Sequence, residues 1–594
     1  IHVCLATPTT AQPAWLSTRY PEVLPVDIAG RKRTHGMRVF FCVNSLKYRE
    51  RAAAIAEQMA MRYAHHPALA MWHVSNEYGT YCYCPTCQAK FRVWLRKRYG
   101  TVDELNKRWH TTFWGRIVSS FEEVTLPTEL NDDYRFNPAI QLDYMRFVTD
   151  STAECFQNEY DILKKYNPEI PIQTNMSGFI KKLDQFTMTK KLDIVGWDNY
   201  PWPDDPAYFV AMKHDIMRGL KGGQSFVLTE QSPNQQNWQP YNSLKRPGQM
   251  RAQSYQTIAH GADTIQFFQL RRSKGGCEKF HGAVIAHVGT NDTRVFKETA
   301  QLGRELESFG TRTLGTRNKS DVGIIFDWDN YWALEYTSGP TQDLKYVDQI
   351  HHYYEYFYNK NISVDMIPVD GDFSKYKVIA APVLYMVKEG MKEKLEQFVK
   401  NGGTLITTFM SGIVDQSDNV HLGGYPGPLR EMAGVWVEEI DALAPEQSNT
   451  VSFSDGKEYK CNLLCDLMHP EGAEVLATYE SDFYAGMPAV TKNSYGKGHV
   501  YYVATQLEAA GLARMLDEAT NEVSVSGVIA EETGLEITCR ESENTRFYFV
   551  MNFTDEKQTL PASLAGMVDL ITGEAAKEGD VMNKWDVKIL QEAL

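Results

Sequence analysis

Residues 68–79 read ALAMWHVSNEYG, an apolar run that closes on Asn76-Glu77. A buried strand ending in an amide and a carboxylate is the pattern of a parallel strand that delivers chemistry at its C-terminal end. The pattern recurs along the first half of the chain. Val3–Thr7, Ala70–Asn76, Pro171–Met176, Leu192–Trp197, Ser225–Glu230 and Thr264–Gln269 are short apolar runs. Several end in polar residues, among them Asn175, Asp198-Asn199 and Glu230-Gln231. Helical patterns at Tyr48–Tyr63, Asp143–Lys165 and Gln249–His260 separate them. This alternation predicts βα units and, over residues 1–315, a (β/α)8 TIM barrel. Six strands are legible where a closed barrel has eight. The chain opens mid-strand at Ile1, so the expectation is that the first two βα units are missing. Glu77 then closes barrel strand four and Glu230 closes strand seven.

A second region, 316–520, carries strand runs at 321–327, 364–369, 376–384 and 404–410, with helical patterns at 342–360 and 389–401. It reads as a doubly wound α/β domain, like a glutamine amidotransferase in pattern but without a nucleophile elbow, since TFMSGIV holds no cysteine. A scaffold or oligomerisation role is expected of it. Residues 521–594 alternate apolar and polar positions, as in LEITCR and RFYFVMNFT, and predict a small antiparallel β domain.

The balance of 61 basic against 75 acidic residues, a net −14, excludes a concentrated basic face for nucleic acid. No apolar run is long enough to span a membrane. Twelve Trp and 32 Tyr, several beside Asn, Asp and Glu, suit sugar rings, which have apolar faces and hydroxyl edges. Ten cysteines in 594 residues do not form a disulfide framework, and three within six residues point to a metal site in a reducing, cytoplasmic setting.

Glutamates at the ends of strands four and seven face each other across a barrel mouth. Glycoside hydrolysis needs such a pair, one carboxyl holding a proton and the other ionised. A separation of about 5 Å corresponds to a covalent glycosyl-enzyme and retention of configuration. Asn76 is placed to donate to a sugar 2-hydroxyl, and Trp238 in NQQNWQPYN offers a flat face to a ring.

The stretches TPTTAQPAWLSTRYPEVL (7–24), HGMRVFFCVNS (35–45), WHVSNEYG (72–79), CYCPTCQAKFRVWLRKRYG (82–100), WDNYP (197–201), EQSPNQQNW (230–238) and GGCEKFHGAVIAHVG (275–289) resemble the glycoside hydrolase family 42 β-galactosidases, and the resemblance runs over nearly the whole chain. It implies Glu77 as acid/base, Glu230 as nucleophile, and Arg38, Asn76, Trp238, Glu278 and His281 as galactose-binding residues. It also implies a homotrimer built largely through the middle domain and acting on small galactosides. Leu270 stands where the family pattern has Trp, which bears on substrate choice. Two other readings are α-L-arabinopyranosidase activity, because that sugar is galactose without its hydroxymethyl group, and a non-catalytic galactoside-binding or assembly protein.

Cys82, Cys84 and Cys87 form C-x-C-x-x-C, and Cys42 in VFFCVNS is the natural fourth ligand of a tetrahedral thiolate site. Four thiolates leave no position for water, so the expected Zn²⁺ is structural. A zinc deaminase is excluded by spacing: His73 and Glu77 are four apart where H-x-E is needed, and Pro85 lies inside the cysteine pair.

Overall fold

The first half of the chain forms parallel strands in sequence order: β1 (Val3–Ala6), β2 (Leu69–His73), the split pair β3 (Ile172–Gln173) and β4 (Asn175–Met176), β5 (Gly196–Asn199), β6 (Phe226–Gln231) and β7 (Ala262–Ile265). The computed structural model describes residues 1–594. β1, β2 and β3 pair in parallel, as do β4 to β7, so the arc has six strand positions with a break at Thr174. β1 and β7 are not paired to each other. Trp72 and Trp197 are fully buried, Trp72 opposite Ile172 and Trp197 opposite Leu228. Helices Leu46–Tyr63, Pro138–Tyr166, Ala207–Gly219 and Gln249–Ala259 follow the strands. The longest starts with Pro138 at its first position, and the Asn137 side chain accepts from Ile140 N, satisfying a free amide of the first turn. Two strands differ from the sequence reading: β7 spans Ala262–Ile265 instead of Thr264–Gln269, and β5 begins only at Gly196. Leu192–Val195 is not strand, because Asp193 turns inward and exchanges hydrogen bonds with the Ile172 backbone.

The middle region is built on β8 (Val322–Ile325), β9 (Val364–Ile367), β10 (Val378–Ala381) and β11 (Thr404–Thr408), in spatial order β9-β8-β10-β11, followed by the parallel strand Gly498–Val503. The sheet then continues antiparallel through Pro488–Tyr495, Glu474–Tyr479, Asn449–Phe453, Glu458–Pro470 and Val435–Ala442. The doubly wound reading therefore holds for the parallel core only. The extension joins the parallel core through a tight hairpin: Tyr495 and Gly498 pair directly across Gly496-Lys497, and Gly496 takes φ +66°. No helix follows directly on β11, so no strand-turn-helix elbow forms there; Met410, in the turn after the strand, has φ +57° and is buried.

The C-terminal sheet comprises Glu536–Glu541, Thr545–Met551, Val587–Ala593 and Val568–Asp569, all antiparallel. It docks on the barrel through Arg540, which is wholly buried and donates to the carbonyls of Ile258 and Ala262 and to Asp263.

All three units meet at a buried polar cluster. His260 lies between Asp215 (Nδ1–Oδ1 2.7 Å) and Glu536 (Nε2–Oε1 3.0 Å), while Tyr354 and Tyr358 of the middle region donate to Asp215 and Glu536 at 2.6 Å. Burial disfavours charging the ring, but Asp215 and Glu536 outweigh it and push His260 up to about 9. A raised folded value stabilises fully below the unfolded value near 6.5 and is lost as pH rises through about 9. We therefore expect thermal stability to decline between about pH 7 and pH 10, by roughly 3 kcal/mol from this site. Melting curves of His260→Gln should lack that component; a decline of equal size in both proteins would exclude His260 as its source.

Candidate active site

Glu77 and Glu230 reach the mouth of the barrel from the turn after β2 and from β6 itself. Together with Asp198, at β5, they bring carboxylate oxygens to within 4.8 Å of one another. A cleft of about 870 Å³ opens over them, lined by Arg38, Glu77, Asp198, Tyr200, Glu230, Trp238, Phe268 and Glu278 from the barrel and by Tyr331 and Val347 from the middle region.

The turn that carries Glu77 is strained and tightly held. Ser75 and Glu77 have φ +58° and +44°. Ser75 N donates to Thr7 Oγ1 (2.9 Å), Thr10 Oγ1 donates to Asn76 O (3.2 Å) and Glu77 N donates to Asn175 Oδ1 (2.7 Å). Asn175 Nδ2 donates to Asn76 Oδ1 at 2.9 Å, which leaves the Asn76 amide nitrogen free of that bond; Asn76 itself is not among the residues that line the cleft. Arg38 Nη2 pairs with Glu77 Oε2 at 2.7 Å.

Glu230 accepts a 2.6 Å hydrogen bond from Tyr200 Oη. Burial pushes its carboxyl up to about 7; the Tyr200 hydrogen bond opposes this, while the charge of Glu77 adds to it and Arg38 reduces it.

Trp238 is half exposed and meets Tyr200 edge-on (4.9 Å between ring centroids). His281 is wholly buried beneath it, stacked at 5.0 Å, with Nδ1 bonded to the Gly282 carbonyl at 2.9 Å and Nε2 without a protein partner. Glu278 lines the cleft. Leu270 does not: it is 68% exposed, and Phe268, packed edge-on to His281 at 5.0 Å, supplies the wall instead. Tyr200, Asp198 and Asn175 had no role in the sequence reading, although all lie at strand ends; nothing local marks which carboxylate or amide they meet.

Cys42, Cys82, Cys84 and Cys87 are buried and converge within 4.8 Å, with Cys42 Sγ 3.8 Å from Cys84 Sγ and 3.5 Å from Cys87 Sγ. Thiolates around a tetrahedral ion at 2.3 Å stand about 3.8 Å apart, so this donor set fits a metal ion. Asn44 Nδ2 lies 3.4 Å from Cys87 Sγ, a donor to one ligand. The four residues join the segment after β1 to the segment after β2.

Three family models match the chain in order: a β-galactosidase domain over residues 1–309, a β-galactosidase trimerisation domain over 320–526 and a β-galactosidase C-terminal domain over 534–592. The chain belongs to glycoside hydrolase family 42. Among curated relatives of this family 42 chain, the β-galactosidase BgaP of Planococcus sp. (strain L4) is 50% identical over 94% of the chain and 84% of its own length. The β-galactosidase bgaB of Geobacillus kaustophilus is 42% identical over 100% and 88%. The crystal structure of a β-galactosidase from Bacillus circulans sp. alkalophilus superposes with TM-score 0.98 at 49% identity, covering 100% of this chain and 89% of that one. The barrel with its two further domains is thus the family 42 architecture.

The Tyr200–Glu230 contact makes a test of the site. Tyr200→Phe removes the donor that favours ionised Glu230, so the carboxyl rises further. If the ionised form is the active one, the acid limb of the kcat/KM profile moves to higher pH and activity falls by about 10²-fold. An unmoved acid limb would show that Glu230 does not govern it.

Proposed function

We propose that this family 42 glycoside hydrolase is a retaining exo-β-D-galactosidase acting on terminal β-galactosides of small oligosaccharides. The observation that carries this reading is the convergence of Glu77 and Glu230 to within 4.8 Å in a cleft walled by aromatic rings. That spacing suits nucleophilic attack, for which carboxyls stand about 5 Å apart, and leaves too little room for a water between them. Glu77 protonates the glycosidic oxygen while Glu230 attacks the anomeric carbon, and Glu77 then deprotonates the water that releases galactose. Tyr200 supports the assignment, because its hydrogen bond favours a nucleophile that stays charged. Arg38, Trp238 and Glu278 bind the sugar from the cleft walls, and Asn76 from the turn that carries Glu77. His281 backs Trp238 from a wholly buried position beneath it and so supports the wall on which the sugar rests. The names of the relatives favour galactose over arabinose as the sugar.

The domains we assign are the barrel over 1–315, the middle domain over 316–520 and the C-terminal β domain over 521–594, with the middle domain holding a homotrimer together. Cys42, Cys82, Cys84 and Cys87 hold a structural Zn²⁺, which when bound neutralises the thiolates and pins the two loops that flank Glu77. No chemical step uses it. No helix is long and apolar enough to cross a membrane.

The two glutamates are told apart by azide rescue on an aryl β-galactoside with an acidic phenol. Glu230→Ala is expected to lose about 10⁴-fold in kcat and to regain turnover with azide as the α-galactosyl azide. Glu77→Ala should lose about 10²–10⁴-fold on poor leaving groups, much less on the acidic phenol, and yield the β-azide. Exchanged anomers would exchange the roles, and equal background hydrolysis by the intact chain and both variants would end the enzyme reading. For the metal, one zinc per chain is expected by elemental analysis. Cys84→Ser or chelation should lower the melting temperature before kcat changes; loss of kcat in a protein of unchanged stability would argue against a structural ion.

A further inference from the structure

Counting protons around Asp198 leads beyond the catalytic pair. Thr229 Oγ1 lies 2.9 Å from the Trp197 carbonyl oxygen and 2.7 Å from Asp198 Oδ1. A hydroxyl has one proton, and a carbonyl oxygen only accepts. One proton shared between the two acceptors would leave each contact a weakened half of a three-centre bond; both are full hydrogen bonds when Thr229 donates to Trp197 and Asp198 donates to Thr229, which places a proton on Asp198 Oδ1. Oδ2 of the same carboxyl accepts from Asn175 Nδ2. Independently, three carboxyl groups meet within 4.8 Å at a site where Asp198 is buried. Even with the acid's proton on Glu77, an ionised Asp198 would place two negative charges, its own and that of Glu230, in that space, faced by the neutral phenol of Tyr200 on Glu230 and the half-exposed guanidinium of Arg38 on Glu77, a costly arrangement for a buried carboxyl.

We propose that Asp198 rests as the neutral acid and serves as a positioning residue that orients the acid/base turn through Asn175. Its Oδ2 occupies one proton of the Asn175 amide; the other goes to Asn76 Oδ1, while Asn175 Oδ1 receives Glu77 N. One carboxyl thereby fixes the Asn175 amide, leaves the nitrogen of Asn76 free for the sugar and braces Glu77 in its left-handed backbone conformation. Being uncharged, it does this without adding a third charge to the pair that must cycle between protonated and ionised forms. Burial, and then the charges of Glu230 and Glu77, push the Asp198 carboxyl well above the usual carboxylate range, in agreement.

Asparagine is the isostere of this neutral acid: its Nδ2 donates to Thr229 and its Oδ1 accepts from Asn175. The inference rests on the galactosidase reading for its kinetic arm alone. Asp198→Asn is expected to keep kcat within about threefold, whereas Asp198→Ala, which frees the Asn175 amide, loses about 10²-fold through misplacement of Glu77. The infrared difference spectrum, wild type minus Asp198→Asn, should show a protonated carboxyl band at neutral pH that belongs to Asp198, distinct from the bands of Glu77 and other protonated acids that both proteins share. In Thr229→Val the band should move to higher frequency, because its proton loses its acceptor. If Asp198→Asn falls as far as Asp198→Ala, or the wild type has no such band, the proposal is overturned. Should Asp198→Ala fail to fold, the band and the Asp198→Asn rate still decide it. Should no galactoside be turned over, the galactosidase reading fails while the band still reports the proton.

Discussion

Much of this molecule is arranged around one awkward residue: Glu77 has to stand in a backbone conformation that side chains avoid. A non-glycine residue at positive φ costs about 1–3 kcal/mol and persists only where its surroundings over-determine it. Here two successive non-glycine strains, at Ser75 and Glu77, are opposed by hydrogen bonds from both flanking strands, Thr7 and Thr10 on one side and Asn175 on the other. Those partners arrive only if β1 and β4 sit correctly beside β2. The strand register is therefore also the aim of the Glu77 carboxyl, and the cysteine cluster beyond it brings together the segment after β1 and the segment after β2 that carries Glu77.

What could be read from sequence divides along the same line. Runs such as AMWHVSNE and SFVLTE announce themselves because burial and parallel pairing impose a continuous apolar stretch and a polar terminus. The four cysteines were legible because metal ligation imposes spacing. Asp198, Asn175 and Tyr200 were visible as strand-end residues but mute as to function, since their partners lie from 23 to 99 positions away. Leu270 failed for a related reason: once β7 ends at Ile265, sequence spacing no longer says which side chain turns inward, and Phe268 does. The antiparallel half of the middle sheet was missed because its alternating strands were read into the α/β pattern that precedes them.

Beside many surface ion pairs, a few buried charge clusters sit between the domains. Arg146 of the barrel grips Asp329 with two parallel bonds at 3.0 and 2.9 Å, and Lys388 reaches Asp327 and Asp329 at 2.8 Å. Such pairs add little net stability, because desolvation offsets their attraction. Their geometry is demanding, however, and fixes how the middle domain sits on the barrel. The cluster at His260 does the same for the C-terminal sheet.

Helix Trp328–Tyr336 is gripped by these charges, and its Trp328 and Trp332 indoles hold the barrel loop at Ile180 and Lys181 while Tyr331 faces the cleft. The substrate cleft is thus shared property of two domains. A barrel exchanged between relatives would carry Glu77 and Glu230 and only part of the wall that surrounds them. Laboratory evolution toward bulkier glycosides should accumulate changes in a segment that sequence comparison files under assembly, far along the chain from any glutamate that performs the reaction.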